Sequence, residues 1–386
     1  MKDVLVVGGG PAGLAVGLAC RREGLSVTVV DRRPGMPVDK ACGEGLMPDG
    51  AAVLERLGVD VGGLGGAPFR GIRYVDGDTV AEGEFPGRPG LGVRRPRLHR
   101  ALVEAAEAAG VEISWGTRVD GLDHRPGPLG GTYSVRLAGG GAAPRCRWLV
   151  GADGLLSRMR GWADLAAGGR RAEPPGEGGR FGVRRHFAVP PGEVPDKVEV
   201  WWGDGFEAYV TPVAADEVGV AILWSGSKAG FDELLAGLPR LADRLSGQPE
   251  RSRDRGAGPL AQPVRGVTRG NLALVGDASG YVDAITGEGL SLAFRQAEAL
   301  AIALAAGDPT RYAAAHRRIG RLPDRMTRLL LAVERHPRLR RRTIRALAAD
   351  PTLFNRLLAL HVGELEPRDF GLRGVARLAR RLILAA

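Results

Sequence analysis

The stretch from Asp3 to Asp31, DVLVVGGGPAGLAVGLACRREGLSVTVVD, constrains the fold more than any other part of this 386-residue chain. Val4 to Val7 are apolar and mostly β-branched, as expected of a strand buried on both faces of a parallel sheet. Gly8, Gly10 and Gly13 follow as G-x-G-x-x-G, and a helical run leads to Gly24. A second strand is expected over Ser26–Val30, with Asp31 at its end. Gly8 permits the tight turn, Gly10 lets a pyrophosphate approach the backbone, and Gly13 lets the helix pack on the strand. The helix dipole and its first amides, from Ala12 onward, then face the phosphates. Asp31 accepts hydrogen bonds from a ribose and repels a phosphate on it, so an adenosine without one is favoured; Arg32 stands beside it. This order predicts a dinucleotide-binding α/β unit.

The chain is too long for one simple core, and its 44% hydrophobic content can fill two or more lobes. No apolar run is long enough to span a bilayer, and the first strand starts too early to leave room for a signal peptide. Cys20, Cys42 and Cys146 are odd in number and widely spaced, which argues against a disulfide framework or a metal site and fits a reducing cytoplasm. The net charge of +10 is carried by arginine, because lysine occurs only at positions 2, 40, 197 and 228. Such a surface can simply be solvated. It can also attract an anionic membrane or an acidic carrier protein. Neither a zinc finger nor a basic region with heptads is present, so nucleic acid is not an expected partner.

Two later segments extend the pattern. RWLVGADGLLSRMR (147–160) combines a strand with Asp153-Gly154. NLALVGDASGYVDAITGEGLSLAFRQAEALA (271–301) combines a strand with Gly276-Asp277, a loop, Gly287-Glu288-Gly289 and a long helix. With the first glycine turn, they resemble the motifs of FAD-dependent monooxygenases with a single dinucleotide domain, a superfamily that also holds geranylgeranyl reductases. The resemblance implies FAD as cofactor, in a glutathione-reductase-like Rossmann domain. It puts Asp153 and Asp277 near the cofactor, with Asp277 on its hydroxyls. The amides at Gly287, Gly289 and Leu290 would face the flavin pyrimidine. Arg95, in RRPRLHRALVEAAEAAG, matches the superfamily's cofactor-facing arginine, and Val119 matches the position that holds the adenine through its backbone. Ala284 stands where relatives carry a proline. No second glycine-turn unit exists, so NAD(P)H would visit transiently as reductant; an electron-transfer protein is the competing donor.

The stretch DKACGEGL (39–46) resembles a flavin-side loop of archaeal geranylgeranyl reductases, which implies that Lys40 and Cys42 lie near the ring, with Cys42 a candidate catalytic group and Glu44 an acceptor that orders the loop. Strands alternate over 181–224 and, with 69–75, predict a sheet covering the flavin. Only one of Trp201 and Trp202 can face a pocket there. Trp202, Tyr209 and Trp224 are the candidate pocket aromatics, and His186, the sole histidine of this sheet, is a candidate base. From Asp308 onward, amphipathic helices carry Arg on one side and Leu, Ile or Val on the other.

The expected architecture is therefore α/β. A discontinuous FAD domain spans 1–68, 94–178 and 260–307, a β-rich substrate domain spans 69–93 and 179–259, and a helical region spans 308–386. The expected activity is NAD(P)H-dependent hydroxylation of a hydrophobic aromatic or polyketide-like molecule through a flavin hydroperoxide. Prenyl-chain reduction and non-catalytic electron transfer are the rivals. The expected location is cytoplasmic, with possible contact at the membrane periphery.

Overall fold

The computed structural model describes residues 2–127, 130–141, 144–167, 179–227 and 229–385. The expected domain boundary at 178 and Lys228 lie outside them.

The first thirty residues build the strand–helix–strand unit. Strand Lys2–Val7 runs parallel to Val27–Asp31, and helix Pro11–Arg22 connects them. Pro11 opens the helix, where its missing N–H costs nothing. The chain leaves the helix through Gly24 at φ 78°, and the Leu25 N–H returns to the Cys20 carbonyl. The second strand begins one residue later than expected, so Asp31 belongs to it. The full sheet orders its six strands as Thr268–Arg269, Leu272–Leu274, Cys146–Gly151, Lys2–Val7, Val27–Asp31 and Glu112–Trp115. All neighbours but the first pair are parallel. Helices Pro11–Arg22, Arg95–Ala108 and Gly289–Ala305 cover one face, with Leu14, Val103, Phe294 and Leu300 in the shared core.

A second sheet of seven strands lies beside the first. Its order is Arg255–Ala257, Arg180–Ala188, Glu217–Ser225, Phe206–Ala214, Val198–Trp202, Gly71–Asp76 and Thr79–Glu84. Side-chain alternation gives it two faces. Trp201, Val210, Val220, Ile222 and Trp224 pack with Phe231, Leu234 and Leu241 on one of them. Ile72, Val198, Val200 and Trp202 face the other way, toward Ile344, Leu347, Phe354 and Leu358 of the C-terminal helices.

Those helices, Pro309–Arg335, Pro337–Ala348, Pro351–His361 and Pro367–Leu384, each start at a proline. Asp308 and Asp350 cap two of them by accepting from the Thr310 and Leu353 amides. The Arg-rich faces expected here are partly spent inside the fold. Arg340 is buried, paired with Asp76 and Asp204 and donating to the Gly203 carbonyl at 2.7 Å. Arg377 and Arg381 both donate to Asp350, while Arg342 and Arg345 donate to the Leu382 and Ala385 carbonyls.

Candidate functional site

One cavity of about 670 Å³ runs from the first glycine turn, past the second sheet, into the C-terminal helices. At one end it is lined by Gly8, Gly10, Ala12, Asp31, Arg32, Lys40, Cys42, Arg95, Asp153, Asp277, Gly287, Gly289 and Leu290. Thirteen of the fifteen residues expected to bind a cofactor thus come together in space. Gly13 sits beneath the turn: a Cβ there would lie 1.9 Å from the Gly8 carbonyl oxygen. Val119 is outside the lining. It begins the strand Val119–Arg125, and its side chain packs with Tyr133 and Leu149.

This end of the cavity fits a dinucleotide. Nothing lies within 4 Å of a Cβ built on Gly10, so the backbone there is open to a bulky group. Helices Pro11–Arg22 and Gly289–Ala305 start at the cavity, and neither has a side-chain cap. Two sets of helix-start amides are therefore available to an anion or to carbonyl oxygens. The Asp31 carboxylate is oriented by the Gly9 and Arg33 amides, both at 2.8 Å. Lys40 donates to Asp277 at 3.1 Å and joins the two loops that flank the opening. Asp153 has a different task from the one expected: its oxygens accept from Ser157, Arg158 and Met159 and fix the start of helix Arg158–Trp162.

The loop 39–46 is held from behind. Glu44 takes φ 60°, a left-handed value that a non-glycine residue adopts only when its surroundings impose it. Its buried carboxylate accepts from the Arg95 amide at 2.8 Å and bonds His186 Nε2 at 2.5 Å. His186 also bonds Ser252 and stands 2.9 Å from an Arg184 nitrogen, while Arg184 donates to Asp39 at 2.6 Å. This network aims Cys42 at the cavity, where its sulfur accepts from the Glu44 amide and the Arg95 guanidinium. His186 itself is fully buried and does not line the cavity. Its position corrects the expectation of a base: it positions the loop.

The pocket aromatics divide. Tyr209 lines the cavity and donates to the Ile285 carbonyl at 2.8 Å. Trp202 points to the same face but stands behind Tyr74, ring centroids 5.7 Å apart, and Trp224 lies on the opposite face against Phe181. Neither tryptophan reaches the cavity. Aliphatic side chains take their place: Ile72, Val198, Val200, Leu223 and Leu260, with Leu329, Leu330, Leu378 and Leu382 from the helices.

Two charged groups at this site were not expected. Arg180, buried, donates to Glu207 at 2.5 Å and Asp283 at 2.9 Å and stands 3.6 Å from Glu334. Burial pushes the Glu207 carboxyl up to about 8 against the opposing pull of Arg180. Asp283 also bonds the Ile285 amide, so the cluster braces the loop leading to Gly287 and offsets the proline missing at Ala284. The second group is His361 on the cavity wall, whose buried Nε2 has no protein partner and whose Nδ1 is 3.6 Å from Glu288. The sequence did carry one signal for the first group: the doubled arginines in FGVRRHFAV must point to opposite faces of a strand.

Comparison with known proteins agrees with this geometry. A family model described as "FAD binding domain" matches residues 1–177. The chain is similar to the 6-methylpretetramide 4-monooxygenase of Streptomyces rimosus, 30% identical over 332 residues, covering 77% of this chain and 73% of that protein. It is also similar to the digeranylgeranylglycerophospholipid reductase 1 of Methanopyrus kandleri, 30% identical over 317 residues, covering 75% and 77%. The menaquinone reductase of Mycolicibacterium smegmatis is 28% identical over 81% of this chain and 78% of its own. In fold, a flavoprotein/dehydrogenase from Cytophaga hutchinsonii superposes with a TM-score of 0.81 at 18% identity, over 99% of this chain and 98% of that one.

Proposed function

This chain belongs to the FAD-dependent oxidoreductases that include flavin monooxygenases and isoprenoid-chain reductases, and on that premise we propose an NAD(P)H-dependent monooxygenase for a hydrophobic molecule with a long aliphatic portion. The observation that carries this reading is the continuity of the cavity. Its glycine-lined end opens directly into a chamber walled by aliphatic side chains from the sheet and the C-terminal helices. Bound FAD would supply the reducing electrons and the reaction with molecular oxygen from which one oxygen atom passes to the substrate.

The chain's own residues supply the setting. The amides of Gly8, Gly10 and Ala12 and the Asp31 and Asp277 carboxylates would hold the cofactor, with Lys40 closing over it. Gly287, Gly289 and Leu290 would present helix-start amides to the flavin pyrimidine, where negative charge collects on reduction. The aliphatic chamber excludes water from the reacting end. His361 Nε2, backed by Glu288, offers a polar contact for a substrate hydroxyl or carbonyl.

A second reading is favoured by one observation. Cys42 lines the cavity at its cofactor end, where a thiol could give a proton to a carbon–carbon double bond under reduction.

The chamber can be tested without knowing the natural substrate. Leu378→Trp fills part of it and shortens the chain that fits. Each excluded methylene forfeits ~0.8 kcal/mol, so losing two or three raises KM by roughly 15- to 60-fold. We expect that rise for long-chain alkylphenols in an NAD(P)H-consumption assay, with kcat for short-chain alkylphenols unchanged. Equal KM values at all chain lengths would contradict the aliphatic chamber as the substrate's seat.

A further inference from the structure

We propose that the outer face of the last helix, Pro367–Leu384, docks on an anionic membrane surface and passes a lipid-soluble substrate to the cavity behind it. Beyond Gly371, where the backbone leaves helical geometry at φ 60°, Leu372, Val375, Ala376, Ala379 and Ile383 follow one another at helical spacing on a single face. All five are exposed, Leu372 by 88% and Ile383 by 70%. The opposite side of the same helix carries Leu378 and Leu382, which line the cavity. A single helix therefore separates the chamber from an apolar outer surface.

The helix is anchored, so its exposed stripe is a built feature and no frayed end. Arg377 and Arg381 bind Asp350, Arg342 takes the Leu382 carbonyl, and Arg356 takes the Asp369 carbonyl. Leu329 and Leu339, 57% and 38% exposed, line the cavity from two neighbouring helices and extend the apolar rim. Charge selects the partner. Arg373 and Arg380 flank the stripe, and Arg325, Arg328, Arg338 and Arg341 are exposed beside the rim. An apolar stripe bordered by arginines suits a bilayer with anionic headgroups, lying in its surface plane. Among the described residues no helix is long and apolar enough to cross a membrane.

The docking is independent of the reaction, whereas the hand-over rests on the hydrophobic-substrate reading above. The test compares the full-length wild-type protein with Leu372→Glu/Ile383→Glu. Both positions are exposed, so FAD content and circular dichroism should match. Co-sedimentation uses phosphatidylcholine vesicles with and without phosphatidylglycerol, at low and moderate salt. We expect wild-type protein to pellet with the anionic vesicles, less so as salt screens the arginines. The double variant should bind roughly tenfold less, the effect of losing about 1.4 kcal/mol. Wild-type protein left in the supernatant with both vesicles overturns the docking, as does unimpaired pelleting of the double variant. A self-association of wild type that the double variant abolishes, without vesicle binding, reassigns the stripe to a second copy and also overturns it. For the hand-over, an alkylphenol embedded in vesicles should be turned over at least several-fold more slowly by the double variant, and detergent-dispersed alkylphenol equally by both. Equal rates on embedded substrate despite lost vesicle binding overturn the hand-over alone. No turnover of either form by wild type contradicts the reaction reading and leaves the docking result standing.

Discussion

Replacing Arg180 with methionine should destabilise the protein by about 3–5 kcal/mol, the cost of leaving buried charge without its partner. Arg180 is the cation facing three buried carboxylates, Glu207, Asp283 and Glu334, drawn from the second sheet, the loop before Gly287 and a C-terminal helix. Its loss leaves their repulsion and desolvation unopposed at the junction of all three parts. Urea denaturation read by intrinsic fluorescence measures the change. A variant within about 0.5 kcal/mol of wild type, the range of ordinary surface substitutions, would show that the cluster carries no such weight.

The same cluster gives stability a pH slope. Burial is the chief cause that lifts Glu207 from the ordinary 4.5 to about 8. A carboxyl with a raised folded-state pKa keeps its proton in the folded protein after the unfolded chain has lost it. Its contribution is whole below about 4.5 and is lost as the pH rises through about 8. Asp283, also raised by burial, acts in the same direction. Stability should fall across this window by up to ~1.4 kcal/mol per pH unit for each proton involved. Glu207→Gln should flatten the slope.

Gly10→Val should leave the fold intact and weaken FAD binding by roughly 100-fold or more, about 2.7 kcal/mol. Gly10 has φ −78°, which valine adopts readily, and no atom lies within 4 Å of a Cβ placed there. The added side chain meets no protein and takes space in front of the turn. Gly13→Val contrasts with it: the Cβ would run into the Gly8 carbonyl, so fold and cofactor should be lost together. Circular dichroism separates the two variants, and flavin fluorescence titration of the Gly10→Val apoprotein gives the affinity. Unchanged FAD affinity in folded Gly10→Val would remove the pyrophosphate from this turn.

The parts legible in the sequence are those set by local chemistry. The glycine turn, its flanking β-branched strands and Asp31 require only near neighbours, and they assemble much as their spacing demands. The alternation that separates Trp201 from Trp202 was equally readable, because it is a property of one strand. What sequence could not supply was the layer behind a face. Trp202 follows its expected direction yet meets Tyr74 before any cavity, and Trp224 lies on the far side of the sheet. His186 is drawn from the cavity by Glu44, a residue 142 positions away in sequence. The Arg180 cluster joins four segments with no shared motif. Charge counting along the tail also overstated its basic surface, since Arg340 is enclosed by Asp76 and Asp204 from distant strands and turns.

The central claim is that the cavity supports transfer of one oxygen atom from molecular oxygen to a hydrophobic substrate. The direct measurement is the mass of the product formed from a long-chain alkylphenol, with NADPH or NADH, under isotopically heavy oxygen gas and under argon. The account predicts a product carrying one heavy oxygen atom in the first case and no product in the second. A polyprenyl substrate that gains two hydrogens under argon, with no heavy oxygen incorporated from either substrate in its presence, would contradict it and assign the site to double-bond reduction.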